Sequence, residues 1–416
     1  MSAGPAVRRS SDWDAERLRG LAEEFDTPLY VLDCDRVAEN ATRLREAFPD
    51  ADVSYAVKAN TTRPVLETVR DAGVGAECAS AGEVQRALDA GFSGADVRYT
   101  AVNPPARDLD HVVSLSREHD LVATVGAADT LDQLADRGYD GRLCIRANPG
   151  VGAGHHEKVS TGAAPKFGVP YDRVPDLAAT AADRGFDLVG LHAHAGSGIS
   201  GEDLDAHREL VVRMARLARR VTSDVTDLDF VNVGGGFGVP YRDEEAPLEL
   251  SAVAAATREA FGDVPVALGI EPGRYFVADA GVLLTTVNTV KETPATTVVG
   301  VDAGMTTLIR PAMYGSYHEI VSLAPDADER DEISATVAGP ICETADVLGE
   351  DRPLPAPEPG DRLAVGTAGA YGYEMSSQYN SRPRPAVVAL DGNEARLATR
   401  REQLADLTRL EEPWSE

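Results

Sequence analysis

The sequence predicts a (β/α)8 TIM-like barrel joined to a C-terminal β-rich domain, a β-barrel or sandwich. Three observations predict it. Eight short β-rich runs alternate with stretches of helical period. Polar or glycine-rich motifs stand at the ends of five of these runs, the face on which a barrel builds its site. Beyond about Lys291 the helical stretches give way to alternating runs with turns.

The eight runs are Val53–Val57, Gly75–Cys78, Val97–Thr100, Leu121–Thr124, Leu143–Ala147, Leu188–Ala193, Phe230–Val233 and Ala267–Ile270. Between them, stretches such as Ala81–Ala90, Asp129–Arg137 and Asp203–Arg220 carry apolar residues at helical spacing. A (β/α)8 barrel occupies roughly 250 residues, so 38–290 is assigned to it. A doubly wound sheet is the structural alternative. Thr27–Asp33 is strand-like and precedes the barrel, while Ala295–Asp302, Ser334–Ala338 and Arg362–Gly366 read as later strands. Residues 1–37 and 291–416 are therefore assigned to the β-rich domain, with proline-rich Leu354–Gly360 as a loop.

Composition narrows the function. The formal net charge is −28, which disfavours nucleic acid and anionic membranes as partners. A hydrophobic content of 43% in regular apolar segments supports a packed core rather than disorder. Of 40 basic residues only four are lysines. Acid excess with lysine loss suits a halophilic cytoplasm, where at about 1 M salt the Debye length falls to roughly 3 Å and like charges hardly repel. Cys34, Cys78, Cys144 and Cys342 are scattered, with no CxxC and no zinc spacing, as expected of reduced thiols in a cytosol. The N-terminus lacks an apolar h-region, and no apolar run approaches the roughly 18 residues that span a membrane. A cytoplasmic location and no bound metal are expected.

Lys58, one of the four lysines, directly follows the first run, in the segment 54–60. An ε-amine can form a Schiff base and a guanidinium cannot; a surface lysine at a strand end is the plain alternative. Gly234, Gly235 and Gly236 follow the seventh run. Their bare amides suit a phosphate, or they form a tight βα turn. Val239 breaks the GxGxxG pattern, which disfavours a dinucleotide. Glu271 ends the eighth run and needs a cationic partner if buried: a protonated ring nitrogen, or Arg274. His192 and His194 share one side of a strand, with no third metal ligand evident; one suits ring stacking and the other a packed role.

Taken together, these segments resemble the fold-type III pyridoxal-phosphate decarboxylases, and within them the branch acting on diaminopimelate. The resemblance runs from residue 27 to 385, through YAVKAN at 55–60, HAHAGS at 192–197, GGGFG at 234–238, EPGR at 271–274, 301–318, GPICETAD at 339–346 and 369–385. It implies pyridoxal 5'-phosphate as cofactor, held covalently by Lys58. His194 would stack on its ring, and Glu271 would keep the ring nitrogen protonated. Ser197, Gly234, Gly235, Gly236, Gly273, Arg274 and Tyr371 would surround the phosphate. Arg274, Arg310 and Tyr314 would grip substrate carboxylates, with Glu343, Thr344 and Tyr371 completing the substrate pocket. Cys342 and Glu343 would enter from the partner subunit of a homodimer with shared active sites. Cys342 is the candidate proton donor; its plain reading is a small buried hydrophobe.

The reaction the resemblance implies is decarboxylation of a small amino-acid substrate, meso-2,6-diaminoheptanedioate, to L-lysine and carbon dioxide. A distal ammonium calls for the Glu343 carboxylate and a distal carboxylate for an arginine, and this substrate has both. Two positions depart from the family pattern: Thr344 stands where serine is expected, and Glu77 where aspartate is. Decarboxylation of ornithine, arginine or carboxynorspermidine is the nearest alternative. An amino-acid racemase on the same cofactor is the second, and a cofactor-carrying barrel without catalysis the third. Lys166, in a KFG element, suits a loop or connector, and Glu202–Asp205 and Glu411–Glu416 read as solvated surface.

Overall fold

The computed structural model describes residues 6–154, 166–197, 199, 204–412 and 414. Of the stretches read as solvated surface, Glu202, Asp203 and residues 413, 415 and 416 lie outside these. The chain divides into two compact units.

One unit comprises Ala38–Val239 and Leu248–Phe276. Eight parallel strands build it: β2 (Ala51–Ala56), β3 (Gly75–Cys78), β4 (Val97–Tyr99), β5 (Val122–Val125), β6 (Arg142–Asn148), β7 (Asp187–His192), β8 (Phe230–Asn232) and β9 (Ala267–Ile270). They pair in the order β5-β4-β3-β2-β9-β8-β7-β6, and β6 pairs with β5, so the barrel closes. All eight expected runs are strands, and the doubly wound alternative falls with the closure. Strands β4 and β5 are buried throughout, as parallel strands covered on both faces must be.

The helices between the strands read directly from the sequence. In α4 (Ala81–Asp89) the Ser80 hydroxyl caps the first turn by accepting from Glu83 N at 3.2 Å. The Glu83 carboxylate reaches back to Ala79 N at 2.6 Å, satisfying a second donor. The long α8 (Leu204–Asp224) buries Leu210, Met214, Leu217 and Val221, three and four residues apart on one face.

The other unit comprises Met1–Val37, Pro240–Pro247 and Val277–Glu416. Its nine-stranded sheet includes β1 (Leu29–Asp33), β10 (Gly281–Glu292), β11 (Thr297–Val301), β13 (Glu332–Ala338), β14 (Val347–Pro355), β15 (Arg362–Val365), β16 (Ala386–Asp391) and β17 (Glu394–Thr399). Short β12 (Ile320–Ser322) pairs with β15. Leu29 and Val31 of β1 pack with Val282 and Leu284 of β10, Val388 and Leu390 of β16, and Leu18 and Leu21 of α1 (Ala15–Phe25). Two sequence expectations shift. Strand β10 runs unbroken through residue 290, where the barrel was expected to end, because its first half is a buried apolar run that pairs with β1. Strand β14 continues to Pro355, so only the remainder of Leu354–Gly360 is loop.

Candidate active site

In the barrel unit, the motif residues cluster where the strands end. Lys58 follows β2 in a short 3-10 turn, Val57–Ala59. Its Nζ stands 3.1 Å from Glu77 Oε2 at the end of β3; the side chains are 41% and 2% exposed. Burial raises the Glu77 pKa, and the Lys58 charge opposes that rise.

Glu271 follows β9 and is buried. His192 Nε2 lies 2.8 Å from Glu271 Oε1. Glu271 Oε2 is buried with no hydrogen-bond partner among the described residues. Burial pushes the Glu271 pKa up to about 7, against the charges of Lys58, Arg146 and Arg98. Arg274 is not its partner: Arg274 Nη2 donates to Ser197 Oγ at 3.4 Å. The pair offered by sequence as an alternative is therefore not formed.

Arg146, near the end of β6, is a buried cation the sequence reading missed. The signal was there, since a charge inside the apolar run Leu143–Ala147 has to serve some neighbour. Its charge acts on both Glu77 and Glu271, and its guanidinium lies over the Phe167 ring at 5.1 Å. Lys166, exposed, lies against that same ring. His194 Nδ1 accepts from Gly235 N at 3.2 Å. Burial, then the charges of Lys58 and Arg146, hold His194 well below its usual pKa, so its ring is neutral.

The glycine turn tolerates no side chain. Gly234 and Gly236 have φ of 82° and 91°, in the left-handed region. A Cβ on Gly234 would sit 2.6 Å from Ala193 O, and one on Gly235 or Gly236 would collide with the carbonyl of Glu271 or Gly196. Asn232 Oδ1 accepts from Gly234 N at 2.8 Å and pins the entry. Gly273 lies against Ala56, where a Cβ would be 3.0 Å from its methyl.

The β-rich unit holds the remaining candidates. Arg310 begins a five-residue helix, Arg310–Tyr314, and is buried. Its Nε donates to His318 Nε2 at 3.3 Å, so the His318 proton sits on Nδ1 and goes to Gly366 O at 2.9 Å. Its Nη2 donates to Ser316 Oγ at 3.2 Å, and its guanidinium stacks over Tyr241. Tyr314, half-buried, ends the same helix. Tyr371 holds φ at 56°, a conformation a large side chain adopts only at a cost in strain.

Cys342, Glu343 and Thr344 are exposed at the tip of the turn 339–346. The plain reading of Cys342 as a buried core thiol is thus overturned; Cys78 and Cys144 are the buried ones. Asn380 Nδ2 donates to Cys342 Sγ at 3.3 Å, and Tyr379 OH donates to Glu343 Oε1. Buried Asp346 accepts from Met305 N at 2.5 Å and Ile341 N at 2.6 Å. A Cβ on Gly304 or Gly339 would run into its carboxylate. Asp346, also missed, fastens the root of the turn.

Among the described residues, no three His, Cys, Asp or Glu side chains are arranged to hold a metal, and no helix is long and apolar enough to cross a membrane. The barrel unit instead offers an amine, a neutral imidazole, bare turn amides and a buried carboxylate oxygen without a donor. That set suits a phosphorylated aromatic aldehyde with a basic ring nitrogen.

Comparison with known proteins agrees. Residues 34–278 match the family described as "Pyridoxal-dependent decarboxylase, pyridoxal binding domain". The diaminopimelate decarboxylase of Methanothermobacter thermautotrophicus is 41% identical over 403 residues, covering 94% of this chain and 92% of that one. The diaminopimelate decarboxylase of Escherichia coli strain K12 is 37% identical, with 96% and 97% covered. The crystal structure of diaminopimelate decarboxylase from Helicobacter pylori, complexed with L-lysine, superposes with a TM-score of 0.88 at 33% identity. It covers 95% of this chain and 99% of that one.

Proposed function

The chain belongs to the pyridoxal-dependent decarboxylase family, and from that premise we propose that it converts meso-2,6-diaminoheptanedioate to L-lysine and carbon dioxide. The observation that carries the cofactor's place is Glu271: one carboxylate oxygen is held by His192, and the other is buried with no partner among the described residues. A protonated ring nitrogen supplies the missing donor.

Pyridoxal phosphate, when bound, would supply an electron sink for loss of carbon dioxide from Cα. The chain's residues do the rest. Lys58 would hold the cofactor through its amine. Glu271 keeps the ring nitrogen protonated. His194, neutral, would stack on the ring. Gly234, Gly235 and Gly236 would offer backbone amides to the phosphate, and Ser197, Gly273, Arg274 and Tyr371 are assigned to it as further contacts. Arg274, Arg310 and Tyr314 hold substrate carboxylates, while Glu343, with Thr344, receives the distal ammonium. Cys342 returns a proton to Cα.

The working form in this reading is a homodimer in which Cys342 and Glu343 serve the partner's site. Their exposure on their own chain supports it. A cytoplasmic, salt-rich setting belongs to the same reading, supported by the charge of −28.

The test is release of lysine and carbon dioxide from meso-diaminopimelate with added cofactor, at low and molar salt. Ornithine, arginine and carboxynorspermidine run as competing substrates. Turnover of diaminopimelate alone supports the assignment. Turnover of only a competitor would retain the cofactor chemistry and overturn the substrate.

A further inference from the structure

We infer that His192 is a positioning residue for Glu271: it pins one carboxylate oxygen and so aims the other at the cofactor's ring nitrogen. The inference rests on the reading of Glu271 given above.

His192 is the last residue of β7, in register with Arg146 on β6 and Asn232 on β8. Its ring reaches past β8 to Glu271, which follows β9. Both side chains are 4% exposed, so neither is oriented by bulk water.

The charge state follows from the surroundings. Burial comes first and the Arg146 charge second in holding His192 well below its usual pKa; Lys58 and Arg98 act in the same sense, and Glu77 opposes them. A neutral imidazole has one N–H. With Glu271 ionised, as it is opposite a protonated ring nitrogen, Nε2 at 2.8 Å from the carboxylate oxygen must carry that N–H, because two lone pairs would repel. Nδ1 is buried and has no hydrogen-bond partner among the described residues. The ring thus spends its only donor on Glu271 Oε1.

A carboxylate held at one oxygen cannot turn freely about its last bond. Glu271 Oε2 is then fixed in place before the cofactor arrives, which is the preorganisation a site gains from groups behind its contact residues. A packing role alone would require only a flat ring.

His192→Phe keeps the ring and removes the donor. His192→Gln replaces it with an amide N–H of similar reach. Three readouts separate positioning from packing: the pH midpoint of the bound cofactor's visible absorbance, the split between kcat and KM, and the effect in a Glu271→Gln background. We expect His192→Phe to lower kcat by roughly 10- to 100-fold, the range for groups that orient a ligand, with KM nearly unchanged. Its absorbance midpoint should move toward that of Glu271→Gln, and His192→Gln should recover part of both. In the Glu271→Gln background the same substitution should cost less than about twofold, since the residue through which it acts is gone.

Wild-type kcat and absorbance in His192→Phe would overturn the inference, as would an equal loss in the Glu271→Gln background. If His192→Phe does not fold, His192→Gln carries the same comparison in both backgrounds. Failure of the underlying reading looks different: Glu271→Gln itself would leave the absorbance midpoint of the wild-type protein unchanged.

Discussion

The Lys58 ammonium sits 3.1 Å from the buried Glu77 carboxylate, joining the ends of β2 and β3. Sequence motifs pointed to Lys58 strongly and to Glu77 weakly, because aspartate was expected there. The longer glutamate nonetheless reaches the amine. A buried carboxylate needs this cation, and an amine that is to attack an aldehyde needs a nearby group to take its proton.

Lys58→Ala should therefore do two things. It should abolish the covalent visible absorbance of the cofactor, and it should destabilise the cofactor-free protein by about 1–2 kcal/mol. The second figure is kept below the value for a fully buried pair, since Lys58 is 41% exposed. Adding Glu77→Gln to Lys58→Ala should restore part of that stability, because no buried charge is then orphaned. Spectra and urea midpoints of the single and double variants check both expectations; an unchanged spectrum in Lys58→Ala would sink the assignment.

Glu271 makes the cofactor-free protein sensitive to pH in a defined direction. Its folded pKa is raised to about 7, against about 4.3 in an unfolded chain. The folded state thus holds the proton more tightly. The stabilisation is complete below about pH 4.3 and is lost as pH rises through about 7, a span worth roughly 4 kcal/mol. Glu271→Gln has no proton to lose, so the difference in unfolding free energy between wild type and variant should change by about 2.5 kcal/mol between pH 5 and 7.5. Acidic groups on which Glu271 does not act cancel in the comparison; Glu77, which feels its charge, does not. Saturating cofactor should flatten the slope, because a ring cation favours the ionised carboxylate.

The sequence makes some of this architecture plain and leaves the rest hidden. The barrel strands are legible because short β-rich runs such as Val122–Val125 alternate with one-faced helices such as Ala81–Asp89. Helix α1 is harder to see: its buried face is only Leu18, Leu21 and Ala22. Strand β10 is divided by the expected boundary at 290 because burial covers only its first part. The motif residues carry their own signals, a lysine in a lysine-poor chain or three consecutive glycines. Their partners do not. His192 and Glu271 are 79 positions apart, and Asp346 and Met305 are 41 apart; no periodicity encodes such pairs.

Asp346 should prove more damaging to alter than its silent place in the motif suggests. Its two oxygens satisfy the amides of Met305 and Ile341. Asp346→Asn turns one acceptor into a donor facing an amide N–H, which should cost about 1–3 kcal/mol. The turn carrying Cys342 should loosen with it. We expect Cys342 to react with iodoacetamide at a changed rate and kcat to fall, while cofactor stays bound in the barrel unit. Alkylation followed by mass spectrometry, together with the denaturation midpoint, tests both parts. An unchanged alkylation rate with lowered stability would reduce Asp346 to a fold residue.

Cys342→Ala should slow turnover and leave the cofactor spectrum intact, because the thiol is proposed to protonate Cα and not to bind the ring. Shared sites give that variant a second use. If Cys342 serves the partner's barrel, a dimer of one Lys58→Ala chain and one Cys342→Ala chain holds one site with neither lesion and one with both. Random exchange of equal amounts makes half the dimers mixed, so the pool should recover about a quarter of wild-type activity from two nearly inactive parents. Sites built within one chain would recover none, since every site would then carry one lesion. Wild-type kcat in Cys342→Ala alone would place the proton donor elsewhere. The mixing experiment would then be repeated with Glu343→Gln, whose carboxylate is exposed on the same turn and engaged by Tyr379.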